Sequence, residues 1–525
     1  MAVEPSNNPI DFTPYAESGI VKNPTIVNLN YTNQDFWSMK TRLIDFIKER
    51  FGVEGTVLPN TFNDFVESDL AIMLIENFAF LADTLSFKMD QIVNELFIDT
   101  VTEPENAFRL ANLVGFQPQP PIAAKAMFTG EINSVYANDV SIATPIPIDI
   151  LSGGDSIRYE LFQSNSDDEP VFGEDIVIPA GNRITTSVVG LEGRTINDNF
   201  TGSGAISQTI ILNQIPCIYD SITVEVDGAT WDRVDYFTDS QPRQEYRVEF
   251  DSQYRGYITF GNNRAGLISP AGSTIAVGYR VGGGSVGNIV TGAINFDRQA
   301  SVAGVAYTVP VNFRNYTRGK NGYDGDSVED VRSKLPLWTT TQDRAVSGAD
   351  YKTISDQFTT PYHGRVGKSV AVLRNHGCAG NIVDIYILAH DGVDDLVKAT
   401  NELKVQLEDE LEDKKMFTDF ICIKDGTIIE VDVLIDVVLD RFYRKFEEEI
   451  REQINRRTTN FFSLNNWEYG KTLSDSELLK ELSDIKEVQD YEVTFVTETA
   501  EGQTVTSRFY EIIRPDEIAL NFMYT

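Results

Sequence analysis

The sequence predicts a multidomain α+β protein, with an N-terminal helical bundle region, a central all-β domain, and mixed α/β and α+β C-terminal domains. Three observations carry this. The chain has 525 residues, too many for one core and enough for roughly three or four domains. Capping boxes and apolar residues at helical spacing fill the first 120 residues or so. From about Ala126 the texture changes to short β-branched runs broken by Gly, Pro, Asn and Asp. The expected bounds are 1–125, 126–310, 311–426 and 427–525.

After a loop-like first thirty residues, Thr32 with Asp35 makes a capping box, and Phe36, Met39, Leu43, Phe46 and Ile47 mark one helical face closed by Gly52. Asp64 with Glu67 opens a second helix, expected to run to about Thr100. Thr102 with Glu105 opens a third, stopped by Gly115. TVEVDG, YRVEF, GYITFGN and STIAVGYRV then read as strands of the all-β domain. Asp326 with Glu329 starts another helix and Ser347 caps a further one, among the strands VAVLR and IVDIYILAH. In TIIEVDVLIDVVLD, Ile429, Val431, Val433, Ile435, Val437 and Leu439 alternate with acidic neighbours, the pattern of a half-buried strand. Helices at about 441–457 and 475–486, the second behind a Ser474–Glu477 box, precede the C-terminal IIRPDEIALNFMYT.

Composition narrows the function. Hydrophobic content is 42% with 11% aromatics, which supports folded cores rather than a disordered chain. Against 79 acidic side chains stand 44 basic ones, a formal charge of −35 that repels phosphate backbones and anionic lipid. Nucleic acid is therefore not expected as a partner. Cys217, Cys378 and Cys422 are too few and too scattered for a disulfide framework or a four-ligand zinc site, and fit synthesis in a reducing cytoplasm. The opening MAVEPSNNPIDF has no signal-peptide pattern. No membrane span is expected either, since Glu76, Asp83, Lys88 and Asp90 interrupt the most apolar helix.

Chemical motifs fail on context. GGGSVG, residues 282–287, satisfies GxGxxG through Gly282, Gly284 and Gly287, and GxSxG through Gly283, Ser285 and Gly287. Both mechanisms need a helix directly afterwards, whereas NIVTGAI reads as strand, so a turn requiring positive φ is expected. GRVGKS, residues 364–369, has two residues between its glycines where a phosphate loop needs four, and reads as a turn. His363, His376 and His390 lack metal-protease spacing, and His376 with Cys378 supplies two ligands only. Neither a cofactor nor a metal is expected. The enzymatic alternative is a hydrolase using Ser285 or a carboxylate pair, and carboxylate pairs are abundant in so acidic a chain.

The second helix carries the strongest signal. Leu74, Phe78, Leu81, Leu85, Met89, Ile92 and Leu96 are spaced close to a coiled-coil seam. Val66, Met73, Phe80 and Phe87 form a second series seven apart, well over a quarter-turn away around the cylinder. Beside it runs an acidic row, Asp69, Glu76, Asp83 and Asp90, for which Lys40, Arg42 and Lys48 are candidate cations. Such a helix belongs at the centre of a bundle. The helices at 32–51 and 103–114 could cover both stripes from within the chain, or a partner chain could complete the cover.

The segment NDFVESDLAIMLIENFAFLADTLSFKMDQIVNELFIDTVTEPENAFRLANLVGFQPQPPIAAKA resembles the N-terminal signature of the baseplate J-like wedge proteins of contractile-tailed phages: ES-x-x-A-x-x-L-x-E, AD-x-L, NE-x-F, N-x-x-R-L-A and G-[YF]-x-P. YITFGNNRAGLISPAGSTIAVGYRVGGGSVGNIVTGAI, NGYDGDSVEDVRSKLP with AVSGADYKTI, and SDSELLKELSDIKEVQDYEV are similar to later landmarks of that family, in order. The resemblance, most like the wedge protein of the T-even type, implies a non-enzymatic structural subunit of the inner baseplate. It further implies two copies that clasp each other and a second wedge subunit through a helical core bundle. Ring contacts through residues 427–525, neighbouring baseplate and sheath-initiating proteins, and a place in the virion after assembly in the host cytoplasm are implied with it.

Overall fold

The computed structural model describes residues 35–52, 57–58, 61, 69–152, 155–237, 242–375, 381–390, 395–485, 487–497 and 501–524. The chain divides into two compact units. One holds the described residues up to Pro118 together with Ser327–Leu335, and the other holds Gln119–Asp326 with Pro336–Thr525.

The first unit is helical. Helix α1 spans Phe36–Phe51, α2 Leu70–Asn94 and α3 Pro104–Leu113. Asp35, expected as the fourth member of a Thr32 box, is itself the cap of α1. Its carboxylate accepts from the Ser38 amide at 2.8 Å, and the Ser38 hydroxyl answers the Asp35 amide. Thr32 lies outside the described residues, as do Asp64, Val66 and Glu67. Helix α2 is capped by Asp69, whose carboxylate accepts from the Ala71 amide at 2.6 Å. The expected Thr102–Glu105 box does not form. Glu95, just past α2, instead accepts from the amides of Thr102 and Glu103, from the Thr102 hydroxyl and from Asn106, tying the start of α3 to the end of α2. Gly115, at φ 86°, turns the chain after α3. Arg332, buried in the same unit, donates to the Val101 carbonyl at 2.5 Å.

In the second unit, four of the five sheets among the described residues each have their own core. A nine-stranded sheet among the described residues takes its strands from Lys125–Glu192 and Asn295–Asn315, around Phe128, Tyr159, Leu161 and Phe313. Between those stretches, residues 194–281 form a seven-stranded sheet with a separate core at Trp231, Tyr246, Val248, Phe260 and Tyr279. Its first and last strands, Arg194–Thr201 and Thr274–Val281, pair antiparallel from Arg194↔Val281 onward. The module therefore enters and leaves at one point.

Helices α4 (Val328–Thr341) and α5 (Gly348–Gln357) follow. The cap of α4 is Ser327 paired with Asp330, not Asp326. Asp326 is buried and accepts from the Gln119 amide and the Tyr323 hydroxyl. Ser347 caps α5 as expected, boxed with Asp350. GRVGKS is not a turn but the start of the strand Gly364–Asn375, where Gly367 marks a register shift in the pairing with Asn381–His390. That sheet is covered by α5 and by α6, Asn401–Lys414, through Tyr351, Leu403, Leu407 and Leu411. Last comes a sheet built on Thr427–Leu439, where Val431, Val433, Ile435, Val437 and Leu439 are fully buried under α7 (Glu447–Phe461) and α8 (Asp475–Leu482). A 3-10 segment, Arg441–Phe446, precedes α7, and Ser474 makes no side-chain cap on α8. The C-terminal segment is the strand Glu511–Tyr524, parallel to Thr427–Leu439 and at the sheet edge.

Candidate interaction surface

Helix α1 packs on α2, whose buried residues are Ile72, Ile75, Ala79 and Ser86. This line is neither of the two stripes that the sequence spacing picks out. At about 100° per residue, Leu74, Phe78, Leu81, Leu85, Met89 and Ile92 lie roughly 80–160° to one side of Ala79. Met73, Phe80 and Phe87 lie about 80–120° to the other. Both flanks face solvent: Phe78 is 64% exposed, Phe80 65%, Phe87 68% and Ile92 63%, against 0% for Ala79. Met73, Leu74, Leu81, Leu85, Met89 and Leu96 are exposed as well. The buried line thus occupies about a third of the cylinder, with exposed apolar residues on both sides of it. Full burial of a large apolar side chain is worth roughly 1.5–3 kcal/mol, so the uncovered flanks hold on the order of 10 kcal/mol for association.

The acidic row lies beside that buried line. Glu76 accepts from Lys40 Nζ at 2.7 Å, with the lysine buried on α1 and its ammonium also 5.3 Å from the centre of the Trp37 ring. Asp69 is occupied in capping. Asp83 has no cation within ion-pair distance among the described residues. At least one member of the row therefore finds its charge partner inside the chain. By length and composition α2 could span a bilayer, but Glu76 and its bond to α1 fall within the apolar stretch.

Ser285 is placed for a structural task. Gly282, Gly283 and Gly284 all have positive φ, and a Cβ on Gly283 would stand 2.9 Å from Pro121 Cβ. The 3-10 turn Ser285–Gly287 follows, with no helix behind it. The Ser285 hydroxyl donates to Asp324 at 2.9 Å, and Asp324 also accepts the Ser285 amide at 2.8 Å. A carboxylate here stands where an imidazole base would be needed. His363 is buried against Glu169 at 2.9 Å. His376 and Cys378 lie outside the described residues. Among the described residues no three His, Cys, Asp or Glu side chains converge as a metal site.

Residues 35–113, which contain all of α1, α2 and α3, match the family model described as bacteriophage baseplate protein, N-terminal domain. No curated protein matches the chain. Among solved structures, the cryo-EM structure of the anti-feeding prophage (AFP) baseplate aligns at 10% identity over 86% of this chain and 88% of its own, with a TM-score of 0.34. A type VI secretion system TssK-TssF-TssG baseplate subcomplex aligns at 9% identity over 68% of this chain and 96% of its own, with a TM-score of 0.25. The family match falls on the exposed-helix unit and bears out the baseplate resemblance read from the sequence.

Proposed function

We propose that this chain is a structural subunit of the inner baseplate wedge of a contractile phage tail. In this reading α1 and α2 enter a helical core bundle with a second copy and a second wedge subunit, residues 427–525 join neighbouring wedges in a ring, and the rigid sheets relay host-contact rearrangement to sheath contraction. The supporting observation is α2, with apolar flanks exposed on both sides of its buried line. A helix of this kind gains stability when other helices complete its cover. The subunit is assembled in the host cytoplasm and its work is mechanical.

The test is a triple substitution, Phe78→Asp, Leu81→Asp and Leu85→Asp. All three side chains are exposed, so the isolated chain keeps its β-sheet circular dichroism while copurification with the partner wedge subunits is lost. Undiminished copurification of the triple variant would refute the bundle.

A further inference from the structure

The edge of a sheet presents unpaired backbone N–H and C=O groups, and proteins guard such edges with proline, charge or a bulge. Two edges of the second unit are guarded in this way. The edge strand Ile146–Ser152 carries Pro147. The edge strand Glu511–Tyr524 carries Pro515, the exposed Asp516 and Glu517, and a register shift opposite Val431 and Val433. The strand Asp419–Asp425 has no such guard. It pairs in parallel with Asn381–His390, from Asn381↔Asp419 to Ile387↔Asp425, and no strand among the described residues pairs with its other side. Its middle is four apolar residues in a row, Phe420, Ile421, Cys422 and Ile423. Lys424, its one cation, is engaged with Asp384 at 2.9 Å. Phe420 is 60% exposed, and Phe417, just ahead of the strand, is fully exposed.

Charge selects what this edge takes. Helix α6 packs beside the strand, with Leu403, Leu407 and Leu411 in one core with Ile421 and Ile423. The lysines around it are already paired: Lys398 and Lys404 with Asp425, Lys414 with Asp343 and Glu410, and Lys415 with Glu412. What is left over is acidic. Glu408, Asp409 and Asp413 are exposed on α6 and have no ion-pair partner among the described residues. A second copy pairing edge to edge across a two-fold axis would bring the same acidic rim to the junction twice, which like-charge repulsion opposes. A strand that carries cations answers the rim instead.

We infer that the free edge of Asp419–Asp425 receives an extended segment of a different protein, one in which basic and apolar residues alternate. Main-chain hydrogen bonds extend the sheet by one strand, the apolar side chains cover Phe417 and Phe420, and the cations meet Glu408, Asp409 and Asp413. The contact is separate from α2 and from residues 427–525, and it stands whether or not the wedge reading holds. The probe is the synthetic peptide Lys-Val-Lys-Val-Lys-Val-Lys, added to the full chain, with binding followed by fluorescence anisotropy and located by amide exchange. It is expected to bind and to slow exchange in residues 419–425 while leaving Glu511–Tyr524 unchanged. The same peptide N-methylated at alternate residues keeps its side chains but loses the amides that pair, so its binding is lost. Glu-Val-Glu-Val-Glu-Val-Glu binds at least about tenfold more weakly than the basic peptide. Asp409→Lys with Asp413→Lys, both exposed positions, reverses that order. Absence of binding by the basic peptide, equal binding of its N-methylated form, an order unmoved by the charge reversal, or protection at Glu511–Tyr524 instead would each overturn the inference. So would self-association of the chain that slows exchange in residues 419–425 with no peptide present, since a second copy is then the occupant.

Discussion

Glu192 ends the strand that leads into residue 194, and its Oε2 accepts the Gly283 amide at 2.6 Å. Burial pushes its pKa up to about 7. The Gly283 N–H and the Arg280 guanidinium pull it down, and the Asp324 carboxylate adds to the rise. An unfolded glutamate titrates near 4.5. Between those values the folded chain keeps a proton that the unfolded chain has lost, so this residue's contribution is complete below about pH 4.5 and declines as pH rises towards 7. Glu192→Gln keeps an acceptor for Gly283 and removes the titration. Thermal unfolding of the variant should rise relative to the parent above pH 7 and match it near pH 4.5; parallel curves across that range would exclude the assignment. Nothing in the sequence singles Glu192 out among 79 acidic residues, because its burial comes from a glycine turn 91 positions away. The adjacent turn was legible: three consecutive glycines ahead of a β-branched run imply positive φ, and all three adopt it.

At the scale of elements, periodicity located α2 and its exposed apolar positions but not its buried line. Ala79 and Ser86 are too small to register as apolar signals, yet both are buried. The cap at Ser347 was legible, whereas two local boxes, Asp35 with Ser38 and Ser327 with Asp330, were displaced from the pairs that the sequence suggests. Another was missed because a residue distant in sequence does the work, as Glu95 does for Thr102 and Glu103. The strand Thr427–Leu439 was plain from alternation, whereas GRVGKS was hidden in a strand because Gly367 interrupts the pattern at a bulge. The contrast between covered and uncovered faces of α2 gives a direct measurement. In the isolated chain, Ile72→Ala removes a buried side chain and should cost about 2–4 kcal/mol in helical-unit stability. Phe78→Ala on the exposed flank should stay within about 0.5 kcal/mol. With wedge partners present the order changes, and Phe78→Ala becomes the costly substitution for assembly. Equal costs in the isolated chain would mean that Phe78 is already covered there.

For the molecule as a whole, stability is divided among sheets that each carry a core, and the seven-stranded module is joined to the nine-stranded sheet through one paired entry and exit. What holds that junction is polar. Arg280, on the module's last strand, donates to Glu160 at 2.6 Å, to the carbonyls of Leu191 and Glu192, and to Thr195, while Glu160 also accepts the Thr195 amide. Both charged side chains are about 5% exposed. A buried pair is neutral or slightly unfavourable against a well-packed apolar pair, but removing one partner strands the other charge at a cost of about 3–5 kcal/mol. Arg280→Met should therefore lower stability by that amount, and Arg280→Met with Glu160→Leu should recover most of it. Because the cores are separate, the loss should be local. Backbone amides of residues 194–281 exchange faster in Arg280→Met, whereas those of Thr427–Leu439, packed in another core, keep the parent's protection. Uniform loss of protection across both regions would show instead that the sheets unfold as one cooperative body, and that the junction transmits force rather than merely joining two modules.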